Sequence, residues 1–172
     1  TSNICTAQVL LAVMAGMYAV YHGPKGLLYI ANKVHSSAVT LANALGKLGI
    51  TQTNTSFFFF FSIKADETKV RPVAESNEVN FLYNDDGTIS ISLNEATSLG
   101  DLEKIVHIFA EALGKGPVRI DGLSDQLAIG LNLRRTSTFL ENPVFNAYHS
   151  ETELMRYIKR LERKDLSLNH SM

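Results

Sequence analysis

Between Thr6 and Tyr21 the chain carries no charge, and its apolar residues predict a buried helix. Ser2, Asn3 or Thr6 offers an N-terminal cap, and His22-Gly23-Pro24 supplies the stop. Ala7, Ala12, Ala15, Gly16 and Ala19 are small enough to let that helix pack closely. From Pro24, a residue suited to a first helical turn, apolar positions recur at Leu27, Ile30, Ala31, Val34, Ala38, Leu41, Leu45 and Leu48. Their period near 3.6 predicts a long amphipathic helix that ends at Gly49.

The pattern then changes. Phe57 to Ile63 is an apolar, aromatic run interrupted only by Ser62, which predicts a central strand buried on both faces. Lys69 to Glu78 has weak helical character interrupted by Pro72. Phe81-Leu82-Tyr83 and Thr88 to Leu93 flank Asn84-Asp85-Asp86-Gly87, a hairpin signal because Asp and Gly tolerate positive φ. In that hairpin Ile89, Ile91 and Leu93 face the core and Ser90 and Ser92 lie opposite. Ser98 and Asp101 have capping-box spacing ahead of Leu102, Ile105, Val106, Phe109 and Leu113, with Gly114 as the stop.

The fold class expected is α/β in the broad sense (α+β), a β-α-β-β-α sheet with helices on one face. Lys115 to Asn142 carries loop signals and reads as a linker. Ser150 and Glu153 form a second capping box ahead of Leu154, Tyr157, Ile158 and Leu161, predicting a helical arm from about Glu151 to Arg163. Its apolar stripe is too narrow to fold alone.

Composition narrows the functional classes. Of the 172 residues 45% are apolar, enough for a real core, and 16 basic against 17 acidic residues leave a net charge of -1. That balance speaks against a nucleic-acid partner, which demands a basic footprint. The apolar stretch Val9 to Val20 is about twelve residues long, short of the roughly 20 that a membrane span needs, so no membrane partner is expected. The single cysteine, Cys5, can form neither an internal disulfide nor a thiolate metal site, which favours a reducing compartment. Thr1 to Cys5 has no initiator methionine or basic stretch, and Leu166 to Met172 stops in an alternating segment; both ends are expected to lie inside a longer protein.

Candidate chemistry is sparse. Cys5 near a helix start is either a thiol pushed toward thiolate by the helix dipole or a buried structural thiol. Thr1 to Thr6 offers hydroxyls and an amide that either hold an anion or merely cap the helix. His149, among Asn146, Tyr148, Ser150 and Glu151, sits in a polar and aromatic loop before a helix, where it is either aimed at a ligand or part of a capping loop. His22, His35 and His107 read as structural. Neither a metal-ligand spacing, a phosphate-cradling glycine loop nor G-x-S-x-G occurs, so no self-contained catalytic site and no metal is expected.

Three blocks carry a family resemblance: Thr1-Ser2-Asn3-Ile4-Cys5-Thr6-Ala7-Gln8, then Tyr18-Ala19-Val20-Tyr21-His22-Gly23-Pro24, then Asn142 through Glu153 continued by Met155 to Met172. In this order and at these distances they resemble the P-protein of the glycine cleavage system. The resemblance spans essentially the whole chain with a variable middle, in which Phe57 to Phe61 departs from the more polar strand expected of relatives.

The resemblance implies two halves, each with the aminotransferase-like pyridoxal-phosphate fold, of which only the second holds the cofactor lysine. On it, residues 1–114 are the long helices and small C-terminal domain of the first half, 115–149 the crossover, and 150–172 the helical start of the second half. None of the nine lysines lies in the family's cofactor-lysine motif, so the lysine is expected beyond Met172 and no cofactor is expected on this stretch alone. The implied reaction is glycine decarboxylation with pyridoxal phosphate as electron sink, followed by aminomethyl transfer to the lipoylated H-protein. Ser2, Asn3, Cys5, Asn146, His149 and Ser150 are the site-adjacent candidates. The implied partners are the H-protein, the remaining P-protein domains and a second protomer. The implied location is a bacterial cytoplasm, or the mitochondrial matrix in a eukaryote. The competing reading is a stand-alone regulatory or ligand-binding module built on the β-α-β-β-α unit.

Overall fold

The computed structural model describes residues 2–126 and 128–168, leaving aside the side chains of residues 2–7 and 131. Two compact units divide it: residues 30–135 form one, and residues 1–29 with 136–172 form the other.

Helix α1, Ser2–Lys47, contributes to both units and is broken at Gly23, where φ is 60° and ψ is -177°. The expected stop is therefore present as a sharp interruption, with helix resuming at once. The first arm begins at Ser2 rather than Thr6, so the backbone of Asn3 and Thr6 lies inside it rather than at a cap.

In the unit of residues 30–135 the second arm of α1 is followed by β1 (Thr51–Gln52), β2 (Phe60–Lys64), α2 (Glu67–Ser76), β3 (Leu82–Tyr83), β4 (Thr88–Ser92) and α3 (Leu99–Ala112). The four strands form an antiparallel sheet in the order β1-β2-β4-β3. The short strand β1 carries no periodicity of its own and was not expected. Phe61 pairs with Ile91 and Ile63 with Ile89, so the two central strands turn an apolar face to one side of the sheet. That face joins Ala38, Leu41 and Leu45 of α1, Leu48 just past its end, Val70 and Ala74 of α2, and Leu102, Val106, Ile108 and Phe109 of α3 in one core. Mixed helix and sheet, with the helices on one face, is thus observed.

The strand over the phenylalanine run is shorter and more one-sided than expected. It starts at Phe60, alternates buried Phe61 and Ile63 with exposed Phe60 and Lys64, and leaves Phe58 and Phe59 exposed. An antiparallel sheet covered on one side enforces that alternation, whatever the apolarity of the run. The opposite face carries Phe60 and Leu82 beside a polar group: Ser62 and Ser90, directly paired, share a hydroxyl hydrogen bond at 2.8 Å, and Asn84 donates to Ser90 and Thr88. Ser90 is buried there, so opposite the core does not mean in solvent.

The hairpin from β3 to β4 stands at the expected place. Asn84 N–H donates to Thr88 O, closing a three-residue loop in which Gly87 alone takes positive φ, 76°. Asp86 Oδ1 accepts from the hydroxyl and the amide of Thr88, which holds its carboxyl below the usual range. Both capping boxes form. Ser98 Oγ accepts from the Asp101 amide while the Asp101 carboxylate accepts from Ser98 N–H and O–H, lowering the Asp101 pKa. Glu153 and Ser150 make the same pair of hydrogen bonds at the start of α4, Glu151–Glu162.

The other unit combines the first arm of α1, the loop around Pro143–Asn146 and α4. Among its described residues only Val20 and Gly23 are buried, while Val9, Leu10, Leu11, Val13 and Met14 are each more than half exposed. A surface so apolar is unstable in water as a monomer. The 172-residue chain is expected to show an apparent mass in light scattering that rises across micromolar concentrations, and Leu10→Glu with Leu11→Glu to suppress the rise. A concentration-independent monomer would contradict this.

Candidate functional site

The break in α1 organises the candidate site. Pro24 has no N–H to return to the carbonyl of Val20, and the φ/ψ pair at Gly23 belongs to a region that side chains with a Cβ essentially never enter. The absence of a side chain is also used for space: a Cβ on Gly23 would stand 2.5 Å from Phe145 O and 2.7 Å from His149 Cε1. The loop before α4 is therefore seated directly on the helix break.

His149 fastens it. Its Nδ1 lies 2.7 Å from the carbonyl oxygen of Tyr21, which can only accept, so Nδ1 carries the hydrogen. In the neutral ring Nε2 is then a bare acceptor. The loop is stiffened on both sides of this histidine. Asn146 Nδ2 donates to Leu140 O at 3.0 Å and to Asn142 O at 3.2 Å, across a turn in which Leu140 takes φ 52°. Tyr148 stacks on Tyr157 of α4 with centroids 4.3 Å apart and an angle of 15°, and Arg160 donates to the Tyr148 hydroxyl at 2.7 Å. The Arg160 guanidinium also lies within 5.3 Å of the Tyr157 ring centroid.

A cavity of about 350 Å³ opens here, lined by His22, Gly23, Pro24, Lys25, Asn146 and His149. His22 is held by Tyr18 and Tyr21, whose ring centroids are 4.3 and 5.1 Å from its own. Two imidazoles, a carboxamide and an ammonium around one opening can stack on a planar ring and hydrogen-bond or neutralise an anionic group. Among the described residues no group of three His, Cys, Asp or Glu side chains is placed to hold a metal ion. No helix is long and apolar enough to cross a membrane, again among the described residues.

The candidates named from sequence separate into two places. Asn146 and His149 line the cavity, and Ser150 adjoins it with its hydroxyl and amide engaged in the capping box. Ser2, Asn3 and Cys5 have helical backbone at the other end of the first arm, about 24 Å from Tyr21 for Cys5 at 1.5 Å per residue; their side chains lie outside the described residues. His22 and Lys25 were not singled out for the site. The signal that could have found them is the His22-Gly23-Pro24-Lys25 sequence itself, because a glycine-proline break exposes the residues on either side of it. His107 is exposed on α3 beside Glu111, whereas His35 is buried.

The family profile described as "Glycine cleavage system P-protein" matches residues 1–109. Along its entire length the chain is 66% identical to a protein of Flavobacterium johnsoniae and 59% identical to one of Christiangramia forsetii, both named glycine dehydrogenase (decarboxylating). A protein of the same name from Nostoc is 45% identical over 192 aligned residues. This chain belongs to the glycine cleavage system P-protein family. It spans 18% of the length of each of these relatives.

Proposed function

We propose that this chain is part of a pyridoxal-phosphate-dependent glycine decarboxylase of the glycine cleavage system and supplies one wall of its site rather than the cofactor lysine. The observation that carries the reading is identity of 66% sustained over all 172 residues with a protein named for that activity. Residues 1–114 are the long helices and small C-terminal domain of an aminotransferase-like first half, 115–149 the crossover, and 150–172 the start of the second half. The antiparallel sheet with helices on one face supports the first assignment.

Pyridoxal phosphate, when bound, supplies the electron sink for breaking the bond between the α-carbon and the carboxylate of glycine. The donor set around the His22–His149 cavity fits a neighbour of such a group, having imidazole faces for a planar ring and the Lys25 ammonium for an anion. His149, oriented by the Tyr21 carbonyl, offers Nε2 to a proton or donor at the site, and Asn146 and Ser150 hold the loop that aims it. Ser2, Asn3 and Cys5, at the far end of the first arm, are assigned to a separate place that faces the cofactor-bearing half of the longer protein. The partners are the remaining P-protein domains, the lipoylated H-protein and a second protomer. The bacterial relatives support a cytoplasmic location, with the mitochondrial matrix as its eukaryotic counterpart.

The test uses the longer protein that carries this sequence, supplied with pyridoxal phosphate and a lipoylated acceptor. Release of labelled carbon dioxide from carboxyl-labelled glycine is expected, falling roughly 100-fold in His149→Ala, the scale of a mispositioned site, and unchanged in His107→Ala. No release by the unsubstituted protein overturns the reaction, and full activity in His149→Ala overturns the site.

A further inference from the structure

The segment that follows α3 is fastened at three points to the second arm of α1 and the residue just past its end. The Lys115 ammonium donates to Leu48 O, Ser124 N–H donates to Thr40 Oγ1 at 2.8 Å, and Ala128 N–H donates to His35 Nε2 at 2.9 Å. The donors advance from Lys115 to Ala128 while the acceptors retreat from Leu48 to His35, so the segment is laid antiparallel along about 20 Å of helix. Two of the three acceptors are side chains, and they differ in kind. Thr40 is a hydroxyl that also donates to Ser36 O at 2.7 Å and does not titrate. His35 does titrate.

The chemistry around His35 specifies one protonation state. Nδ1 lies 2.8 Å from the carbonyl oxygen of Phe58, which can only accept, and Nε2 receives an amide, which can only donate. The ring is therefore neutral with its hydrogen on Nδ1. It is 1% exposed, stacked on Phe58 at 5.1 Å and 14° and tilted against Phe57 at 6.2 Å. Among the described residues it is the only ionisable side chain that is buried. Ionisable neighbours on the adjoining elements are Lys33 on α1, whose ammonium donates to Glu95 O, and exposed Asp125 on the crossover; Phe57 to Phe61 contributes none. An imidazolium here would set Nε2–H against the Ala128 N–H, donor facing donor, on a ring that is buried.

We propose that His35 is a proton-operated latch: its neutral ring holds the crossover at Ala128, and protonation releases it there, with Lys115 and Thr40 remaining as the other anchors. This does not rest on the family reading. The closed form excludes the second proton and the open form accepts it, so opening is favoured as pH falls. As pH falls through the ordinary imidazole range the open-to-closed ratio rises by up to about tenfold per pH unit. Above it the ratio is flat.

The test is amide hydrogen exchange on the whole 172-residue chain from pH 8 to pH 5, with the intrinsic pH dependence of exchange divided out and the amides of β4 as the internal reference. Protection at Ala128 is expected to fall about tenfold or more between pH 6.5 and 5 while β4 stays protected. In His35→Phe, which keeps a ring and removes the acceptor, Ala128 is expected to be unprotected at every pH. Thr40→Val is expected to free Ser124 alone. Nitrogen NMR of the His35 ring at pH 8 is expected to show hydrogen on Nδ1. Equal Ala128 protection at pH 8 and pH 5, a protected amide in His35→Phe, or hydrogen on Nε2 would each overturn the latch. Should His35→Phe fail to fold, the pH series and the ring spectrum of the unsubstituted chain decide the matter alone.

Discussion

Replacing Gly23 by valine is expected to dislodge the loop before α4 and to cost roughly 3 kcal/mol or more in the unit that contains it. Two effects add. The backbone pair φ 60°, ψ -177° is nearly closed to residues with a Cβ, at a cost on the order of 1–3 kcal/mol. The new Cβ would also meet Phe145 O at 2.5 Å and His149 Cε1 at 2.7 Å, one of them backbone that cannot rotate away. Hydrogen exchange across residues 142–150 should rise to the level of an open loop. Gly16, in the same helix, provides the contrast: a Cβ there meets nothing within 4 Å and its backbone is helical, so Gly16→Ala should stabilise by about 0.5–1 kcal/mol. Equal behaviour of the two substitutions would mean that the loop is not seated on Gly23.

Truncating Phe109 should cost the unit of residues 30–135 about 3–5 kcal/mol in urea denaturation. Phe109 is fully buried on α3, its ring centroid 5.3 Å from that of Phe81, in the cluster where α1, α2, α3 and the sheet meet. Phe109→Ala therefore removes contacts to several elements at once and leaves a cavity that no single neighbour can fill. His107→Ala, two residues away on the solvent side, should stay within about 0.5 kcal/mol. A loss of less than 1 kcal/mol for Phe109→Ala would contradict the core described here.

The parts legible in the sequence are those whose cause is local. Leu102, Ile105, Val106 and Phe109 repeat at helical spacing, and Ser98 with Asp101 closes a box three residues wide, so α3 could be read with its start. Gly23-Pro24 announced a break because proline lacks the donor and glycine permits the angle. The start of β2 was misjudged because its determinant is distant. His35, 23 residues earlier, takes the Phe58 carbonyl as its acceptor, and the strand begins only at Phe60. The hairpin was legible in its place but not in its turn, because Asp-Gly does not by itself choose between a two-residue and a three-residue loop. In the candidate site, His149 was noticed for its loop, but its meaning lies in a carbonyl 128 residues earlier, a pairing that no local pattern encodes. His22 reads locally as a helix-end residue for the same reason, and it lines the same cavity.

The central claim, that this chain supplies a wall of the site and not the cofactor lysine, is tested most directly by reducing the pyridoxal-phosphate-loaded longer protein with borohydride and locating the pyridoxyl-lysine by mass spectrometry. The account predicts a single modified lysine outside residues 1–172, with all nine lysines of this chain unmodified. A stoichiometric adduct on any of those nine, Lys25 beside the His149 cavity above all, would contradict it.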